Sequence, residues 1–233
     1  MGSTHTMHRH DEPDREPAAS RIAAFHDQIE RRLAGEITEE EFRPMRLTNG
    51  VHLWDHAYML RVPIPGGVLS SRQLRMLAHV ARRYDRGYVH FAGRRNVEFH
   101  WPALSEIPSA LADLAFVGLY PAGAGSEFNG DSGVDHIAEA AHSRSDHASV
   151  TIPLVAGGDL SDGQMEALAG LAETYGSDEV HVGNGRDLVL LHVARADLAS
   201  VHAGLVASGF EDRRHSDFTP STEAHHARET EAA

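Results

Sequence analysis

The sequence predicts an α/β (α+β) protein made of two β-α-β-β-α halves related by a pseudo-twofold, preceded by a helical arm. Three observations carry this. Residues Gly66 to Leu119 recur without a gap 91 positions later as Gly157 to Phe210. The copies share punctuation and core residues alike: Gly66/Gly157, Gly67/Gly158, Leu69/Leu160, Ser70/Ser161, Gln73/Gln164, Leu77/Leu168, Tyr84/Tyr175, Val89/Val180, His90/His181, Arg95/Arg186 and Gly118/Gly209. Within each copy apolar residues first recur at helical spacing and then alternate as strands do. The offset is too long for a solenoid, whose periods run about 20–50 residues. It reads as two similar units facing each other, with a ligand expected where they meet.

Residues 1–18 are polar and rich in His, Pro and Asp, which predicts disorder. Residues 19–45 form the arm. Its helix runs from Ala19 to Gly35 with Ile22, Phe25, Ile29 and Leu33 on one stripe, and Thr38 with Glu41 makes a capping box for a second turn or helix. The first half spans 46–120. It opens with a strand at about 58–64, punctuated by Pro65, Gly66 and Gly67. Ser70 and Gln73 then cap a helix whose Leu74, Leu77, Ala78, Ala81 and Tyr84 share a face. Strands at 88–91 and 96–101 flank a glycine-containing turn and form a hairpin, and a closing helix at about 105–117 stops at Gly118. The second half, 148–211, repeats the device with Ser161, Gln164, Met165, Leu168, Ala169, Ala172 and Tyr175, and stops at Gly209. Residues 121–147, rich in Gly, Ser, Asp and His, form a linker, and 212–233 a disordered tail. A β-α-β-β-α unit is the core of a ferredoxin-like half.

A chain of 233 residues can bury a sizeable core, and a net charge of −13 disfavours nucleic acid or an anionic membrane as partner. No apolar stretch approaches a membrane span and the N-terminus lacks a signal peptide's apolar region, so a cytoplasmic protein is expected. There is no cysteine, and all 21 basic residues are arginine. Thiolate-held clusters and Schiff-base lysine chemistry are therefore excluded for these residues. Of the serines, Ser70, Ser71 and Ser161 read as helix caps rather than nucleophiles.

Strand alternation sorts the sheet faces. In the first hairpin Val89, Phe91, Val97, Phe99 and Trp101 should pack under the helices, leaving Tyr88, His90, Asn96, Glu98 and His100 on the outer face, joined by Arg61. If Phe91 and Val97 close the hairpin, His90 lies opposite Glu98 with His100 diagonal to it. In the second half the outer face is expected to carry Val150, Ile152, His181, Val189 and Leu191, making a cleft polar on one side and apolar on the other. That suits a small anionic or amphiphilic ligand.

The stretch HAYMLRVPIPGGVLSSRQLRMLAHVARRYDRGYVHFAGRRNVEFHWP, from His56 to Pro102, resembles the first ferredoxin-like half-domain of the assimilatory sulfite and nitrite reductase haemoproteins. QIERRLAGEITEEEFRPMRLTNGVHLW resembles that family's lead-in, and SDEVHVGNGRDLVLLHVARADL its second half-domain. The resemblance implies a pair of half-domains cupping a sirohaem beside a four-iron cluster. Arg61 falls at the family's LR-x-x-x-P arginine, and Arg94 and Asn96 match the arginine and asparagine of its T-T-R-Q-N turn. The segment that usually reads S-G-N-C-I-R-N has no counterpart, because Gly123 to Gly133 contains neither arginine nor cysteine. The family's substrate-binding lysines and cluster cysteines are also missing, so a truncated, divergent member without sirohaem or a 4Fe-4S cluster is expected.

Three readings of the cleft follow. His90, Glu98 and His100 could ligate a non-haem iron or zinc, or serve as catalytic acid–base groups, where the resembled family has amides at the positions of Glu98 and His100; alternatively they form a solvated polar edge. Arg61, Arg94, Arg95 and Asn96 could hold the carboxylates of a haem-type tetrapyrrole with His90 or His181 as axial ligand. A third reading is a non-catalytic pseudoenzyme that uses the cup to bind a partner enzyme or a second copy of itself. If the protein is an enzyme, the first two imply a metal- or haem-dependent oxidoreductase.

Overall fold

The computed structural model describes residues 15–92, 96–121, 146–154, 158–183 and 187–210. The arm is two helices, α1 (Arg15–Leu33) and α2 (Glu39–Thr48). The expected capping box starts α2: the Glu41 N–H donates to Thr38 Oγ1 at 3.2 Å and the Thr38 N–H to Glu41 Oε2 at 2.8 Å. Phe25 of α1 stacks on Phe42 of α2, with ring centroids 5.9 Å apart, and both are buried. Leu33, read as the last member of the apolar stripe, is instead exposed, because the helix ends there beyond the reach of the core.

The rest alternates strands and helices: β1 (Val51–Trp54), β2 (Ala57–Pro63), β3 (Val68–Ser70), α3 (Ser71–Tyr84), β4 (Tyr88–Ala92), β5 (Asn96–Phe99) and α4 (Ile107–Phe116), then β6 (His147–Pro153), β7 (Asp159–Ser161), α5 (Asp162–Tyr175), β8 (Glu179–Val182), β9 (Asp187–Ala194) and α6 (Leu198–Ala207). Asp55 and His56, both at positive φ, make the two-residue turn of the β1–β2 hairpin.

Two antiparallel sheets result, ordered β1-β2-β5-β4-β7 and β3-β8-β9-β6. Each contains one strand from the other half. β3, from the first copy, pairs with β8 through Val68↔His181, Leu69↔Val180 and Ser70↔Glu179. β7, from the second, pairs with β4 through Tyr88↔Ser161, Val89↔Leu160 and His90↔Asp159. The exchange continues into the helices that follow, where the Ser71 N–H donates to Asp178 O at 3.1 Å and the Asp162 N–H to Gly87 O at 2.8 Å. Leu69 and Leu160 are buried at the centres of the exchanged strands.

The serine caps complete the joint. Ser70 and Gln73 bond reciprocally at 3.2 and 3.0 Å, as do Ser161 and Gln164. The spare amide N–H of Gln73 donates to Val117 O and that of Gln164 to Gly209 O, so each cap also fixes the end of its half's closing helix. α3 and α5 lie against each other, and each touches strands of both sheets. Arg75 of α3 reaches Glu166 at 2.9 Å and Glu173 at 2.6 Å on α5. One continuous core runs from Phe25 in the arm to Val201 and Leu205 in α6. Among the described residues no helix is long and apolar enough to cross a membrane.

The predicted β-α-β-β-α order holds, with β1, β3 and β7 added. Two facing assignments do not. Val150 and Ile152 pair with Leu190 and Leu188 and join the core rather than the outer face. The connection between Pro153 and Gly158 is one residue longer than that between Pro63 and Gly67, so Thr151, not Ile152, is the counterpart of Arg61, and a one-residue shift flips a strand's faces. Trp101 is 45% exposed because β5 ends at Phe99 and the chain turns away before the alternation reaches it.

Truncating the exchanged strands should cost what a core position costs. Leu69→Ala and Leu160→Ala are each expected to lower the unfolding free energy by about 2–5 kcal/mol in urea titrations. Losses below about 1 kcal/mol would mean that the exchange is peripheral to stability. Ser70→Ala and Ser161→Ala should each cost about 1 kcal/mol, read from the same midpoints.

Candidate functional site

The polar row expected on the outer face of the first sheet is present, in the expected hairpin register. His90 lies opposite Glu98, Phe91 opposite Val97, and Arg61 of β2 flanks Glu98 from the other side. Arg61 is fixed by its strand, whose N–H donates to Gly50 O at 2.8 Å. Gly50 has a φ of 72°, and a side chain there would collide with the Arg61 carbonyl.

Glu98 is the hub. Only 7% of it is exposed, so its charge needs partners. Arg61 Nε and Nη2 both lie 2.7 Å from Glu98 Oε1, and His100 Nε2 donates to Oε2 at 3.2 Å. His90 Nδ1 donates to Asp159 Oδ1 at 2.9 Å, and the His90 and His100 rings lie 5.4 Å apart. A carboxylate can only accept, so a neutral His90 carries its proton on Nδ1 and a neutral His100 on Nε2. The Arg61 side chain is 42% exposed, and its contacts to Glu98 run through Nε and Nη2.

This arrangement lends the metal reading of His90, Glu98 and His100 no support. Among the described residues no group of three His, Asp or Glu is placed to hold a metal ion. At Glu98 the reason is local: both of its oxygens are committed, one to a guanidinium and one to His100. Asn96 sits at the start of β5, opposite Pro63 and Ala92. Arg94 and Arg95 lie outside the described residues. His181 belongs to the second sheet, between Val68 and Val189, with Glu179 3.9 Å away. Burial holds its imidazole below the usual histidine range.

The two halves differ sharply here. Glu98 and His100 have Val189 and Leu191 as counterparts, so the Arg61–Glu98–His100 cluster has no equivalent in the second half. A groove of about 440 Å³ lies between α1 and α4, lined by Ile22, Ala23, His26, Pro108, Ala112 and Phe116.

Three residues of the site escaped the sequence reading. His52 shares the outer face with Met59, and burial followed by the Arg61 charge holds its imidazole below the usual range. Asp159 arrives on an exchanged strand of three residues, too short to show alternation. Asp85, just after α3, has its carboxyl raised by burial, an effect opposed by the backbone N–H groups of Arg86, Trp101 and His100. A signal for Asp85 was available, since it stands where the second copy has Gly176.

Comparison with known proteins places this geometry. The family model described as the nitrite/sulfite reductase ferredoxin-like half domain matches residues 55–117 and again 142–208. A sulfite reductase [ferredoxin] of Mycobacterium tuberculosis is 34% identical over 62 residues, covering 27% of this chain and 11% of that protein. An assimilatory ferredoxin-dependent nitrite reductase of Haloferax mediterranei is 32% identical over 80 residues, covering 30% of this chain and 14% of that protein. The match to the chloroplastic ferredoxin–nitrite reductase of Arabidopsis thaliana is 38% identical over 63 residues and likewise spans 11% of it. The solved structure of Mycobacterium tuberculosis NirA superposes with a TM-score of 0.59 at 15% identity, covering 84% of this chain and 70% of that one, a likeness of fold. With two matched copies covering more than half its length, the chain belongs to the nitrite/sulfite reductase ferredoxin-like half-domain family.

Proposed function

We propose that this chain binds a small anionic ligand on the outer face of the first sheet, anchored by Arg61 with His90 and His100 beside it, and does not itself carry out sirohaem-dependent reduction. The observation that carries this reading is the aimed guanidinium. Glu98 grips Arg61 through Nε and Nη2, which removes most of the side chain's rotational freedom while the rest of the fork faces the outer side. A planar fork held in advance suits an oxyanion, because the ordering cost is met by the fold rather than at binding. The relatives' names specify sulfite and nitrite, both small anions of this kind.

The neighbours support the same chemistry. His90 and His100 present imidazoles next to the anchor, whose second ring nitrogens accept in the neutral ring and so can take a proton from a bound ligand, or donate to an anion once the ring is protonated. His52 lies on the same face, and burial followed by the Arg61 charge holds its imidazole below the usual range. The donor set does not fit a cysteine-held iron–sulfur cluster, since the 233 residues include no thiol. An oxidoreductase role would thus draw its electrons from something other than a cysteine-held cluster within these residues.

Calorimetric titration of the purified chain with sulfite and with nitrite tests the reading. Arg61→Gln is expected to weaken whichever anion binds by about 10- to 100-fold, the effect of losing a charge-assisted pair. No binding of either anion by the unaltered chain at millimolar concentration would remove the proposal. A shift of the Soret band on titration with haemin, lost in Arg61→Gln, would redirect it to a tetrapyrrole carboxylate.

The half-buried imidazoles of His52 and His181 set a pH dependence of stability. His52 and His181 resist protonation when folded, whereas in the unfolded chain they take up protons near pH 6.5. Their contribution is therefore intact above that range and is lost as pH falls from it through the folded-state values. Urea midpoints should drop between pH 7.5 and 5.5, and His52→Gln should flatten the drop; an unchanged slope in that variant would exclude His52 as a source.

A further inference from the structure

We infer that Asp85 is a positioning residue for the anion site: its carboxylate gathers the backbone where β5 ends and thereby presents His100 to Glu98. The inference rests on the reading of that face as a binding site, but its geometry stands independently. Asp85 closes α3, its own N–H donating to Ala81 O at 3.2 Å. Its Oδ1 accepts the Arg86 N–H at 2.8 Å and its Oδ2 the Trp101 N–H at 3.4 Å, and the His100 N–H is also directed at the carboxylate. The donors of His100 and Trp101 are thus satisfied at the end of a helix instead of in the sheet, and β5 stops at Phe99. Trp101 is held at the same corner. Its indole N–H donates to Tyr88 Oη at 3.0 Å, and the Arg86 guanidinium covers the ring at 4.0 Å.

The second half supplies an internal control. Gly176 stands at the equivalent position with nearly the same backbone, ψ −152° against −153°, and its N–H donates to Ala172 O in the same way. Only the carboxylate is missing. There β9 continues to Ala194, paired with β6, and bulges where His192 takes a φ of 59°. The Leu191 carbonyl comes within 3.5 Å of where a Cβ on Gly176 would sit. Leu191 is the counterpart of His100, so at this corner the second half sets a backbone carbonyl in contact range of the Gly176 position where the first half directs backbone N–H groups at the Asp85 carboxylate.

Asp85→Gly copies the second half, and a Trp54→Phe background leaves Trp101 as the only indole reporter. The expected result is a red-shifted Trp101 emission, displaced His100 amide resonances and about tenfold weaker sulfite binding, the loss of one well-placed hydrogen bond to an ion. Asp85→Asn, which keeps an acceptor oxygen, should restore most of all three. A residue that only stabilised the fold would lower the thermal midpoint and leave emission and the His100 amide in place, and that outcome overturns the inference. Asp85→Ala gives the same readouts should the glycine variant fail to fold. If the unaltered chain binds no sulfite, the functional reading falls while emission and amide shifts still decide the role of Asp85.

Discussion

Each half completes the other's sheet with three residues, and everything else in the fold is arranged around that trade. A sheet edge left open is a row of unmet donors and acceptors. β3 and β7 close two such edges at once, and because each leads straight into a capped helix, the trade also sets α3 against α5. The anion site depends on it directly. Asp159, which orients His90, is on the outer face of the first sheet only because its strand crosses from the second half.

A symmetric scaffold here carries an asymmetric surface. The core positions of the two copies are interchangeable in kind, as Leu69 and Leu160 or Val89 and Val180 show. The outer face is not: Arg61, Glu98 and His100 stand against Thr151, Val189 and Leu191. Packing constrains the first set of positions in both copies, whereas the second set is free to follow chemistry in one copy and burial in the other.

Much of this was legible in the residues themselves. The serine–glutamine pairs announce both long helices because a capping box is a local device, complete within four residues. The hairpin register followed from alternation across a short turn, and it placed His90 opposite Glu98. What escaped was non-local or too short to be periodic. β3 and β7 have three residues each, and their partners lie in the other copy. Carrying the repeat's offset upstream puts Val150 and Ile152 on the wrong face, because the repeat is ungapped only from Gly66 onward and the extra residue sits just before Gly157. Trp101 follows an alternation that Asp85 interrupts, a competition between a side-chain acceptor and the sheet ladder that pattern alone does not reveal.

A solitary copy of this unit would have an unfilled edge and a short strand with nowhere to go. Two identical copies would meet that need as a swapped homodimer, but such a pair must repeat every residue, so a carboxylate placed at position 98 would recur at two symmetry-related points. Tandem fusion lifts that obligation. It keeps the mutual loan of strands and lets one partner specialise while the other remains a scaffold.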